Sequence, residues 1–215
     1  MNCSYRLLLA SVFLMLSACS TMYLESLEKI GIPKRDVMVY RVEKARDTQE
    51  ETKEQFKSAL EQFTAATNFK GGDLEDTYKR LNDAYEESSS KAEEVRTRIA
   101  DIESVSNALF AEWKEEITQY SNQSFKQSSQ QKLTATQEHY RQLIASMKQA
   151  EAKIHPVLKV FQDQVMFLKH NLNARAIASL KSELGNIQSD VSTLVASMEK
   201  SINEANAFIK TMESE

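Results

Sequence analysis

Three imidazoles, two thiols and several adjacent carboxylate pairs are the groups in this sequence best suited to bind a metal or move a proton. The imidazoles are His139, His155 and His170. None has a second histidine at the i+4 spacing that brings two ring nitrogens to one metal from one helix face. The Glu-x-x-His pattern of di-iron bundles is missing too, because Thr136, Ala152 and Phe167 stand three residues before the histidines. Each histidine is therefore expected at the surface or its boundary. The carboxylate pairs are Glu86-Glu87, Glu93-Glu94 and Glu115-Glu116. Lys91, Arg96, Arg98 and Lys114 lie among them, so a solvated, ion-paired helix face accounts for them better than acid–base work. Trp113 invites either core packing or a stacking platform for a ligand, and nothing near it in the sequence completes a binding site. No nucleophile elbow or dinucleotide-binding glycine turn occurs. The expectation is no catalytic residue, no metal, no cofactor and no enzyme activity.

The thiols belong to the beginning of the chain. Arg6 is followed by an apolar run from Leu7 to Leu16 that ends in Leu16-Ser17-Ala18-Cys19. The run is too short to span a bilayer as a helix but has the size of a signal-peptide core. Small residues directly before Cys19 resemble the bacterial lipobox, which is cut ahead of a cysteine carrying diacylglycerol. The alternative is an ordinary signal peptide that contains a cysteine. On the lipobox reading, residues 1–18 are a lipoprotein signal peptide, Cys19 is the lipidation site, and acyl chains such as palmitate hold the protein to a membrane. Ser20 rather than Asp follows Cys19, which by resemblance to the bacterial sorting rule implies the outer membrane, with the domain in the periplasm. Cys3 leaves with the signal peptide, so the mature chain keeps no free thiol. Loss of Arg6 takes the formal charge from −4 to −5. A net acidic, exported protein is a poor nucleic-acid binder, and no such partner is expected.

Four Gly and two Pro in 215 residues leave little room for sheet turns and point to a few long helices. From Leu74 to Tyr120, apolar or small residues recur at alternating steps of four and three. They begin Leu74, Tyr78, Leu81, Tyr85, Ser88, Ala92 and continue to Trp113. That period draws one seam down a single helix roughly 70 Å long, which needs partner helices beside it. The same stagger predicts a helix from Asp36 to Asn68, with Gln49 and Thr52 as polar seam members that fix register. Lys70-Gly71-Gly72-Asp73 predicts a turn in which Asp73 caps the next helix.

A break is placed near Asn122, and a third seam runs from Leu133 to Ile154. Pro156 should kink or end that helix. The apolar register nevertheless continues through Val157, Phe161, Val165, Leu168 and Leu172. Asn171 and Asn173 are expected as polar positions inside a continuous helix, with a cap at Ala174 as the alternative. The last seam runs from Ile177 to Met212, and Gly185 within it suggests close approach of a neighbour or a soft point. Residues 19–35 form a lipid-anchored lead-in that Gly31 and Pro33 end. It is expected as a stub packed on the end of the bundle, with a membrane-surface contact as the alternative. The fold class is all-α: an elongated antiparallel bundle of three to four long coiled-coil-like helices, one domain over residues 36–215.

Four stretches carry a family resemblance: Met38-Val39-Tyr40-Arg41-Val42-Glu43-Lys44-Ala45-Arg46-Asp47, Lys53-Glu54-Gln55-Phe56-Lys57-Ser58-Ala59-Leu60, Gly71-Gly72-Asp73-Leu74-Glu75, and Leu168-Lys169-His170-Asn171-Leu172-Asn173-Ala174. Together they resemble the gammaproteobacterial lipoprotein family catalogued as domain of unknown function 2959. The resemblance spans nearly the whole mature chain. It implies an exported helical protein and transfers no catalytic or binding residue. The functional expectation is a lipid-anchored cell-envelope scaffold without enzyme activity. Its partners would be the membrane, through the lipid, and another envelope protein, peptidoglycan or a second copy of itself. Two alternatives are a module holding a small or lipid ligand between helices, near Ser88, Ala92 and Ser106, and a membrane-remodelling bundle, which the acidic charge disfavours.

Overall fold

The computed structural model describes Leu24, residues 26–68 and residues 73–214, the side chain of Ala174 apart. The signal peptide, Cys19 and the Lys70-Gly71-Gly72 turn lie outside these residues. Four long helices follow one another: α1 Lys34–Thr67, α2 Leu74–Gln119, α3 Gln123–His170 and α4 Ala174–Ser214. The all-α bundle expected from the periodicity is what the chain forms.

The helix ends follow from their capping residues. The backbone amide of Glu75 donates to Asp73 Oδ1 at 2.8 Å, so Asp73 caps α2 as expected. Asn122 accepts from the amides of Ser124 and Phe125 at 2.9 and 3.3 Å and starts α3 where the break was placed. Pro156 does not stop α3. Ile154 before it and Val157 and Phe161 after it are all buried, and their burial outweighs the one missing backbone hydrogen bond.

The expected continuity past Asn171 is incorrect. Asn171 turns its side-chain amide onto Phe167 O at 3.0 Å, while Asn173 Oδ1 takes the amides of Arg175 and Ala176 at 2.9 and 3.3 Å. Asparagine side chains compete with the helix for backbone partners, and two of them within three residues close α3 and open α4. Leu172, placed on the seam by its spacing, is instead exposed in this turn, as Tyr120 is in the turn after α2.

Packing divides the chain into two units. The first takes in the described residues up to Arg41 and Ala100–Glu138. In it the start of α1 runs antiparallel to the end of α2, since Lys34 meets Glu112 and Arg41 donates to Asp101 O at 2.7 Å. Its core holds Met38, Ile102, Val105 and Leu133.

The second unit is Val42–Ile99 and His139–Glu215. Here α1 pairs antiparallel with α2 through Lys91 on Glu51 and Gln55 on Ala84, and with α4 through Arg46 on Asn206 and Lys53 near Glu199. Phe161 of α3 stacks on Phe63 at 4.5 Å and on Phe56 at 6.0 Å between ring centroids.

Two glycines make opposite predictions. The short helical segment 26–29 ends in a Schellman arrangement: Gly31 N donates to Glu28 O at 2.9 Å and Ile32 N to Leu27 O at 3.0 Å, with Gly31 at φ 87°. Gly31→Ala places a side chain in the left-handed region and is expected to lower stability by about 1 kcal/mol. Gly185 is a correction to the close approach expected of it: a Cβ there meets nothing within 4 Å. Gly185→Ala is therefore expected to raise stability by about 1 kcal/mol. Urea unfolding followed by circular dichroism measures both, and shifts of the same sign would overturn this account of the two positions.

Candidate functional site

The described polar groups that most clearly join separate segments gather where the lead-in meets the bundle. Pro33 starts α1, its carbonyl accepting from the amides of Asp36 and Val37. The next residue, Lys34, is a cation at the positive end of a helix, where the macrodipole disfavours it. Two carboxylates compensate. Lys34 Nζ contacts Glu28 of the lead-in and Glu112 of α2, the latter at 3.0 Å. The lysine is only 7% exposed and each carboxylate 34%. Leu24, 1% exposed, fixes the lead-in by its side chain. One helical step from Glu112, the Trp113 indole N–H donates to Ser129 Oγ at 2.9 Å and ties α2 to α3. Trp113 is thus a half-buried packing residue with its polar atom satisfied.

The electrostatics of this cluster are those of a fastening. Burial pushes the Lys34 pKa down, but hydrogen bonds to Glu28 and Glu112 overcome that and leave it raised. A lysine held firmly as ammonium is the reverse of the depressed amine needed for a general base or a Schiff base. The hydrogen bond from Lys34 holds Glu28 below the usual carboxylate range. Burial raises Glu112 despite Lys34, helped by the neighbouring Glu28 carboxyl.

The two shifts have opposite linkage. Stability owed to Glu112 is complete below the ordinary value of 4.5 and is lost as pH rises through its raised folded value. Stability owed to Glu28 is complete above 4.5 and is lost as pH falls through its lowered value. Glu112→Gln keeps a neutral side chain at every pH. Its stability relative to wild type is therefore expected to rise between pH 4 and pH 7, and urea titrations giving a constant difference would refute the assignment.

The other expected residues are distributed as follows. Cys19, the predicted lipidation site, lies outside the described residues. His139, His155 and His170 are exposed, as their spacing implied. Glu93 pairs with Arg96 at 3.0 Å, and Glu94 with Lys91 and Arg98 at 3.3 and 3.4 Å, which makes the Glu93-Glu94 run part of an ion-paired face. Among the described residues no group of three His, Cys, Asp or Glu is placed to hold a metal ion, and no helix is long and apolar enough to cross a membrane. Ser88 and Ser106 are fully buried and donate to Ala84 O and Glu103 O, so neither presents a free hydroxyl to a ligand.

Three buried side chains are different: Gln49, Ser146 and Ser201. Gln49, 1% exposed, has no partner for either amide atom, and neither has the Ser201 hydroxyl. The Arg46–Asn206 and Lys53–Glu199 contacts bracket Gln49 and Ser201, which puts them at a similar level on the antiparallel α1 and α4.

The Lys34 cluster was not anticipated. Its local sign was a lysine directly after Pro33, at a helix start, with a glutamate six residues earlier. Its third member, Glu112, is 78 positions away and could be placed only by the tertiary register.

Helices joined through buried apolar seams, with the most shielded lysine among the described residues fastening one segment to another, define an all-α packing domain. The chain belongs to the family described as "Protein of unknown function (DUF2959)", which matches residues 23–212. No curated protein and no solved structure matches it.

Proposed function

We propose that this protein is a non-enzymatic, lipid-anchored scaffold of the bacterial envelope, acylated at Cys19 in the outer membrane with its helical domain in the periplasm. The observation that supports this best is the fastening of the lead-in. Leu24 is buried, and Glu28 is bonded through Lys34 to α2, so whatever holds Cys19 also holds the first unit. A tether joined in this way positions a folded surface for a partner: another envelope protein, peptidoglycan or a second copy of the chain.

Growth with radiolabelled palmitate tests the anchor. Label is expected in the wild-type chain and not in Cys19→Ala, which should leave the membrane fraction; label in both would refute acylation at Cys19. Crosslinking of intact envelopes followed by pull-down tests the scaffold, and recovery of the chain with neither a protein nor a wall fragment attached would count against it.

A second reading has one observation in its favour. The buried partnerless groups of Gln49 and Ser201, at a similar level of α1 and α4, would suit a small or lipid ligand held between these helices. Native mass spectrometry of the Cys19→Ala chain, which carries no acyl group, is expected to show added mass on this reading, and the bare polypeptide mass would dismiss it.

A further inference from the structure

The end of the first unit carries more exposed apolar surface than its tether requires. Eight large apolar side chains are exposed among the described residues, and Ile30, Ile32, Tyr40, Tyr120 and Phe125 all belong to the smaller, first unit. Four of them share one end. The Lys34–Glu112 and Trp113–Ser129 contacts mark a single level across α1, α2 and α3. Tyr120 and Phe125 lie beyond that level, in and just after the α2–α3 turn. Ile30 and Ile32 precede Lys34, and because α1 runs antiparallel to α2 they fall on the same side. Their exposures are 73% for Ile30, 40% for Ile32, 45% for Tyr120 and 62% for Phe125.

The chain before Leu24 decides what can cover this end. Five Cα steps separate Cys19 from the buried Leu24, a reach of at most about 18 Å when fully extended. An acylated Cys19 therefore keeps this unit close to the lipid headgroups. Aliphatic and aromatic side chains beside a lipid anchor suit the interface, where apolar groups dip below the headgroups and tyrosine keeps its hydroxyl in water. The charge nearby fits an uncharged lipid surface. Four lysines, Lys29, Lys34, Lys114 and Lys126, stand against four glutamates, Glu28, Glu112, Glu115 and Glu116, with Lys34 shared by Glu28 and Glu112.

We propose that Ile30, Ile32, Tyr120 and Phe125 form a docking surface for zwitterionic lipid, so that protein as well as acyl chain touches the membrane and fixes how the first unit stands on it. This rests on acylation at Cys19.

The test uses the full acylated chain in vesicles of phosphatidylethanolamine and phosphatidylcholine, with spin-labelled lipid as quencher. The mature chain has no other thiol, so a bimane fluorophore can be placed at Ile30→Cys, at Phe125→Cys or at Ala100→Cys. Ala100 is an exposed position about 30 Å back along α2 from Tyr120. All three are surface positions, and circular dichroism checks that each variant keeps its helices. The labels at 30 and 125 are expected to lose most of their emission and the label at 100 very little. A chain that floats with the vesicles but shows equal quenching at all three positions overturns the docking surface alone. A chain that does not float, with Cys19 itself taking up the fluorophore, overturns the anchor and the docking surface together.

Discussion

Phe161→Ala is expected to lower the stability of the second unit by about 4 kcal/mol, within the range for deleting a buried aromatic ring. The ring is 0% exposed and lies against two others, Phe63 with planes 15° apart and Phe56 with planes 25° apart. Its removal forfeits the transfer free energy of the ring, leaves a cavity between α1 and α3, and breaks two aromatic contacts worth about 0.5–1.5 kcal/mol each beyond their area. Ala59 and Ala66 on the same seam of α1 are buried as well, and their single methyl groups cannot extend to fill the space. Phe167→Ala is the control. That side chain is on the same helix and 38% exposed, and should cost well under 1 kcal/mol. Urea midpoints measure both. Similar losses for the two variants would show that α3 responds to general loss of apolar surface and that the three-ring stack has no special weight.

Lys34→Met is expected to cost about 2 kcal/mol. Methionine keeps the length and most of the apolar stem, so the change isolates the charge. It leaves Glu28 and Glu112 facing each other without a cation. Removing one partner of a fully buried pair typically costs 3–5 kcal/mol, and the figure is reduced here because each carboxylate is about a third exposed. The loss should have a local consequence. With Glu28 released, trypsin is expected to cut after the exposed Lys29 sooner than in wild type. Adding Glu28→Gln and Glu112→Gln to Lys34→Met removes every unpaired charge and should recover most of the lost stability. Unchanged stability and unchanged cleavage in Lys34→Met would mean that Leu24 alone holds the lead-in.

The parts of this fold that were legible in the sequence share a physical origin. A seam repeats over many turns, so many residues vote for it. The α1 residues at the repeating steps of four and three, Val42, Ala45, Gln49, Thr52, Phe56, Ala59, Phe63 and Ala66, are all buried. Along α3 the register holds from Leu133 to Leu168 despite Pro156. A break speaks through one or two residues. Where the polar patch around Asn122 interrupted the pattern, the turn was found. Where Asn171 and Asn173 sat beside an apolar register that continued past them, the period outvoted the caps and the turn was missed. Tyr120 and Leu172 failed for the related reason that periodicity does not announce where a helix leaves its neighbours. At Gly185 the close-approach alternative failed because the cost of a glycine in a helix carries no information about which face it occupies. The Lys34 fastening depends on which turn of α2 stands opposite the start of α1, and local sequence is silent on that.

The position of Trp113 has a spectroscopic consequence. It is the sole tryptophan of the chain, and it belongs to the first unit, with its indole bonded to Ser129. Indole emission during denaturation therefore follows that unit alone, while helix dichroism sums over both. If the two curves superimpose, the units melt as one cooperative body; a gap between their midpoints would measure how independently the first unit can loosen.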